Sequence, residues 1–168
     1  DILAKLGYTV IISNFSEYYR LVDYFTSYSI RYLGVAMGVN NLLMVFDEQY
    51  YDNLPGGILE AFGKFFKKDM RVYLYPYKDM KTGELLTSEN LKVHDNLKEL
   101  YKYFKLNKRI VDIENFNPKF LEIYSREILK KILTQELGWE EELPIGVSEM
   151  IKDRQMFGYK ELTFDGLN

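Results

Sequence analysis

Leu33-Gly34-Val35-Ala36-Met37-Gly38-Val39-Asn40-Asn41-Leu42-Leu43-Met44-Val45-Phe46 is the stretch on which the fold turns. Its first five residues are a short apolar run of strand type, Gly38 to Asn41 form a turn, and Leu42, Leu43 and Phe46 then recur at helical spacing. A strand that passes through a glycine turn into an amphipathic helix is half of a β-α-β unit. Upstream, Tyr8-Thr9-Val10-Ile11-Ile12 is a second β-prone run, apolar at consecutive positions as in a strand covered on both faces. Ser13 and Asn14 end it, Ser16 is placed to cap, and Tyr18, Leu21, Val22, Phe25 and Tyr28 mark a helix. Downstream, Leu54-Pro55-Gly56-Gly57 breaks the chain, and Ile58, Leu59, Phe62, Phe65 and Phe66 form a helix face ending in Lys67 and Lys68. Alternation over residues 70–76 and the run Ile110, Val111, Ile113 supply two more strands, with a polar excursion from Asp79 to His94 and a helix capped by Asp95 between them. Asn117 and Pro118 open the longest helix, marked by Leu121, Tyr124, Ile128, Leu129 and Ile132. Trp139 to Pro144 reads as a loop before a last short helix at Val147, Met150 and Ile151.

Strands alternating with helices call for a parallel sheet, because each parallel return needs a crossover. The expected fold is therefore α/β and Rossmann-like: a mainly parallel four-stranded sheet near residues 8–13, 32–37, 70–76 and 109–114, with helices on both faces. Residues 1–159 read as a single α/β domain. Ile2, Leu3 and Leu6 resemble the last turn of a helix begun upstream and stopped by Gly7, so the chain is expected to be part of a longer protein.

With 168 residues, 47% of them hydrophobic, the chain can bury a core unaided. Its 22 Lys and Arg against 25 Asp and Glu leave a net charge of -3, the wrong sign for a dedicated nucleic-acid binder. The longest uncharged apolar stretch, Leu33 to Phe46, is too short to span a bilayer. No signal peptide is visible and cysteine is absent, which fits a reducing, cytoplasmic setting. No nucleic-acid or membrane partner is expected.

In open α/β sheets ligands bind beyond the carboxyl ends of the strands. That position selects Ser13 and Asn14 after the first strand, Gly38, Asn40 and Asn41 after the second, Tyr77 and Lys78 after the third, and Glu114 and Asn115 after the fourth. Amides and hydroxyls prevail among them, which suits recognition of a polar small molecule better than acid-base turnover. The turn Gly34 to Asn41 could approach an anion closely, but it has neither the Walker lysine nor the spacing of a dinucleotide loop; Gly34 admitting a close helix and Asn40 merely capping is the favoured structural reading. His94, the one histidine, reads as a solvated residue flanking a helix. Glu140, Glu141 and Glu142 read as a solvated turn, and no metal site is expected. Tyr73, Tyr75 and Tyr77 share a strand face that helices are expected to cover.

The segments Val10-Ile11-Ile12-Ser13-Asn14-Phe15, Leu33 to Leu42, Leu54 to Gly63, Thr87-Ser88-Glu89-Asn90-Leu91 and Gly138-Trp139-Glu140 resemble the C-terminal portion of a little-characterised bacterial cytosolic family of longer chains. Its members go under such names as nicotinate-nucleotide adenylyltransferase and TonB-dependent receptor. The likeness runs to about Tyr159 and not into Lys160 to Asn168. A receptor barrel would need many alternating strands and an export signal. The adenylyltransferase name agrees with an α/β fold, yet its His-x-Gly-His and Ser-Ser/Thr motifs do not occur in this sequence, so the resemblance assigns no functional residue. It implies a domain that binds a nucleotide or phosphorylated metabolite, works with the upstream region of the same protein, and does not catalyse alone. The alternative is a non-catalytic interaction or assembly domain.

Overall fold

A computed structural model describes residues 2–28 and 32–160. Within them the chain divides into two compact units, residues 13–116 and a smaller one formed by the N-terminal segment to Ile12 with the chain from Asn117 onward.

The larger unit is mixed α/β. Helix α2 (Tyr18–Ser27) follows α1 (Ile2–Lys5) of the smaller unit and leads to strand β1 (Gly34–Gly38). Helices α3 (Val39–Val45) and α4 (Gly57–Phe65), with a 3-10 turn at Glu48–Tyr51 between them, connect β1 to β2 (Arg71–Tyr75). A hairpin of β3 (Tyr77–Lys78) and β4 (Leu85–Leu86), a 3-10 turn at Asp95–Leu97 and helix α5 (Lys98–Leu106) lead to β5 (Ile110–Asp112). Strands β1, β2 and β5 lie side by side and parallel, with Val35 opposite Val72 and Val72 opposite Ile110.

The sheet among the described residues thus has three parallel strands, and the expected fourth, at 8–13, is not formed. Gly7, at φ +85°, ends α1 with two closing bonds, Gly7 N–H to the Ala4 carbonyl and Tyr8 N–H to the Leu3 carbonyl, a helix stop built on a left-handed glycine. The first amide of the β-prone run is spent there, and Ile12 ends 95% exposed. Apolar β-branched residues favour a strand only when a neighbouring strand and a buried face receive them.

Helices on both faces are also corrected within this unit. Along β2, Val72 and Leu74 are fully buried while Arg71 and Tyr73 are exposed, so one face is covered. Two successive crossovers in the same direction set their helices on one side of a sheet. The rings agree: Phe62 of α4 lies 4.9 Å from Phe46 and 5.4 Å from Phe104 of α5, and Phe66 stacks on Phe104 at 4.0 Å. Tyr73 and Tyr75 take the other face, whereas Tyr77, in β3, packs against the core. A Cβ on Gly34 would sit 2.8 Å from the Tyr73 ring, so Gly34 makes room for an aromatic ring from β2 rather than for a helix.

Three local readings also change. Glu17, not Ser16, occupies the cap of α2, and the Ser16 hydroxyl donates to Glu17. The excursion from Asp79 contains the hairpin turn, in which Asp79 Oδ1 accepts from the Lys81 and Thr82 amides at 2.8 and 2.9 Å, the local bond an aspartate offers a turn. Asp95 pairs with Lys98 at 2.7 Å, and His94 precedes the turn.

In the smaller unit Asn117 caps the Pro118–Glu122 3-10 turn by accepting from the Lys119 amide, and extended Ile123 and Tyr124 separate that turn from α6 (Ser125–Thr134). The expected long helix is therefore two elements. Trp139 lies in a loop as expected, and its side chain is buried in the core with Ile128, Ile132 and Ile151, the last on α7 (Val147–Asp153). Glu140 and Glu142 pair with Lys152 and Lys131, so the acidic turn is tied to two helices.

Candidate functional site

The ladder brings Gly38 beside Tyr75 and Leu74 beside Asp112 at the carboxyl end of the sheet. Of the residues expected there, Gly38 opens α3 with extended backbone, and Asn40 and Asn41 lie exposed on that helix's first turn. Ser13 and Asn14 are exposed and follow no strand, and the Ser13 hydroxyl accepts from the Phe15 amide at 3.0 Å. Tyr77 and Lys78 are half-buried in the β3–β4 hairpin, paired with Leu86 and Leu85. Glu114 and Asn115 are exposed. None of these residues lines either of the two polar cavities described below.

The carboxylate at this end is Asp112, which the positional argument did not select. Its Oδ1 accepts from the Ser88 amide at 2.8 Å and its Oδ2 from the Ser88 hydroxyl at 2.7 Å. The buried Ser88 carbonyl in turn accepts from the Tyr101 hydroxyl at 2.8 Å. Burial pushes the Tyr101 phenol above its usual range, and the neighbouring Asp112 and Glu89 add to this. Both oxygens of Asp112 therefore hold the 87–90 loop to the sheet, as a latch. The sequence signal was Thr87-Ser88-Glu89-Asn90, a turn-forming polar cluster in which the Thr87 amide donates to Asn90.

At the opposite, amino end of the sheet Arg71 and Arg109 line a cavity of about 290 Å³. Phe66, Phe104 and Tyr103 supply aromatic wall, and Asp69 and Asn107 complete it. Arg109 stands at the entrance to β5, where its Nη1 donates to the Lys68 carbonyl at 2.6 Å and the Met70 carbonyl at 3.1 Å. Two of five guanidinium N–H groups are thereby fixed, which orients the remaining donors. Lys68 and Lys108 both adopt positive φ, +50° and +54°, so each helix turns sharply before its strand. In sequence Lys68 stands three residues before Arg71 and Lys108 directly before Arg109; neither spacing announces the left-handed backbone, and the carboxyl-end rule directed attention away from both arginines.

The second cavity, of about 380 Å³, has a floor of Leu43, Phe46, Val93 and Leu97 and a polar rim of Asp47, Glu48 and His94. Asp47 accepts from the Gln49 backbone and side-chain amides. Glu48 accepts from the Asn96 side-chain amide, and Asn96 Oδ1 lies 2.6 Å from His94 Nδ1. His94 is thus exposed but held, not simply solvated.

No protein-family model, no curated protein and no solved structure matches this chain. No helix among the described residues is long and apolar enough to cross a membrane. The functional reading rests on the geometry of these groups.

Proposed function

We propose that the larger unit is a binding domain for a small phosphorylated molecule, and that the Arg71–Arg109 cavity receives its phosphoryl group. The observation that carries this reading is the pair of arginines in one partly enclosed polar cavity, one of them pre-positioned by two backbone carbonyls. Guanidinium forks match phosphate oxygens with paired hydrogen bonds. Asp69 places one negative charge against the two positive ones, and the carbonyls that would repel an anion are already covered by Arg109 Nη1. The stacked Phe66 and Phe104 rings offer an apolar wall to the rest of the ligand. A volume near 290 Å³ lies at the lower edge of the usual ~300–1,000 Å³ for ligand sites, which favours a phosphorylated metabolite or one end of a mononucleotide over a whole dinucleotide. The adenylyltransferase name borne by some of the chains that the sequence resembles would fit the same ligand class.

Calorimetry of the full chain with inorganic phosphate, ATP, nicotinate mononucleotide and NAD tests the proposal. Binding of at least one phosphate-bearing probe, weakened about tenfold or more by Arg71→Gln, supports it. Equal binding by wild type and variant, or none with any probe, overturns it.

A second reading, an interaction or assembly domain, draws on the exposed run Val10-Ile11-Ile12 and on Ile145 at 90% exposure. Light scattering over a concentration series tests it: growth in mass that Ile11→Asp together with Ile12→Asp abolishes would favour this reading.

A further inference from the structure

We infer that the cavity rimmed by His94 is a separate binding site for a small aliphatic ammonium group, in which His94 Nε2 serves as a fixed hydrogen-bond acceptor. The argument begins with the direction of the hydrogen bonds. An ionised carboxylate can only accept, so the Asn96 group facing Glu48 is its NH2, as the structure has it. Asn96 Oδ1 then faces His94 Nδ1 at 2.6 Å. An amide oxygen has no proton to give, so Nδ1 carries the hydrogen and donates it. In the neutral ring this leaves the lone pair on Nε2. The relay Glu48, Asn96, His94 therefore selects one tautomer of the only histidine in the sequence, as a partner on one ring nitrogen does wherever an imidazole is positioned for ligand binding.

The surroundings give the ligand class. Asp47 and Glu48 each receive their hydrogen bonds from uncharged amides, which leaves both negative charges in place. Among the described residues no Lys or Arg lines the cavity to offset them. The nearest basic partner on the 95–98 turn, Lys98, is held by Asp95 at 2.7 Å. Beneath the rim the floor is aliphatic and aromatic, with Phe46 and Leu97 buried. Negative rim, hydrogen-bond acceptor and apolar floor together complement an ammonium on a short hydrocarbon chain. An anion would meet two carboxylates, and a purely apolar solute would leave the rim charges unanswered.

Because there is one histidine, its ring can be read without assignment ambiguity. The full chain labelled with ¹⁵N-histidine is observed at about two pH units above the ordinary imidazole pKa of ~6.5. The relay predicts the Nδ1–H tautomer, lost in Asn96→Ala with folding unchanged by circular dichroism. Predominance of Nε2–H in the wild type would overturn the relay. The site is tested with n-butylammonium, with n-butanol and butyrate as uncharged and oppositely charged controls. Butylammonium should shift the His94 ring signals with millimolar affinity, as suits a probe of about five heavy atoms, and Glu48→Gln should weaken it several-fold. Equal response to butanol, or no response to butylammonium while the Nδ1–H tautomer is present, would overturn the ligand assignment. Inorganic phosphate leaves these signals unmoved if the two cavities are independent.

Discussion

The two polar cavities of the larger unit sit on the same aromatic core yet carry opposite charge. One is lined by Arg71 and Arg109, the other by Asp47 and Glu48. Phe62 and Phe104 link the helices between them, and Phe46, in the floor of the acidic cavity, lies 4.9 Å from Phe62. The difference lies in what the backbone does at each place. The basic cavity lies where the chain leaves α4 and α5 to enter strands, and the arginine there answers backbone carbonyls. The acidic cavity lies where the chain enters 3-10 turns, and Asp47 answers a backbone amide. Arg109 and Asp47 each satisfy nearby backbone first, and Arg71 and Glu48 stand beside them with charge of the same sign.

The shared core is where the comparison breaks most easily. Phe104→Ala removes a 7%-exposed ring that walls the basic cavity and stacks on Phe66, and is expected to cost about 3–5 kcal/mol in urea unfolding. Phosphate binding should go with it. Tyr101→Phe is the next largest change: it leaves the buried Ser88 carbonyl without its donor, at a cost of about 1–3 kcal/mol, and loosens the 87–90 loop from α5 while both Asp112–Ser88 bonds and both arginines stay in place. A smaller effect with phosphate binding intact would separate the two ends of the sheet.

Acid should act chiefly outside both cavities. The hydrogen bond from Lys152 holds the Glu140 carboxyl below its usual range, so the folded state binds this proton less readily than the unfolded chain. The resulting stability is present above the unfolded carboxyl pKa of ~4.3 and is lost as pH falls through the lower folded value. Trp139, the single tryptophan, is buried beside this pair, so its fluorescence should report the loss, and Glu140→Gln should flatten the dependence below about pH 4.5. The smallest effect is expected at Ile12→Thr, within about 0.5 kcal/mol, since that side chain is 95% exposed.

Much of the fold was legible because helix faces and short β runs left clear periods. The runs at 32–37, 70–76 and 109–114 became β1, β2 and β5, and Leu54 to Gly57 broke the chain just before α4. Tyr8 to Ile12 looked equally strand-like, but propensity carries no information about whether a partner edge exists, and the glycine stop at Gly7 had already claimed the Tyr8 amide. The same limit hid the split at Ile123 and Tyr124, where two residues favouring extended backbone interrupt an apolar period. Site residues were less legible. Position after a strand selected Asn40 and Asn41, which are exposed, whereas Arg71 and Arg109 are brought together by the register of β2 and β5, in which Val72 lies opposite Ile110, 38 residues on in sequence. The bond between Ser88 and Asp112 spans 24 residues and left only its turn as a trace.

The central claim is that the amino end of the sheet, not the carboxyl end, receives the anion. Amide chemical-shift mapping of the full chain titrated with inorganic phosphate tests it directly, run beside Arg71→Gln. The account predicts saturable shifts centred on Arg71, Asn107 and Arg109 that the variant abolishes. Shifts centred instead on Gly38, Asn40 and Asn41, and unchanged in Arg71→Gln, would contradict it.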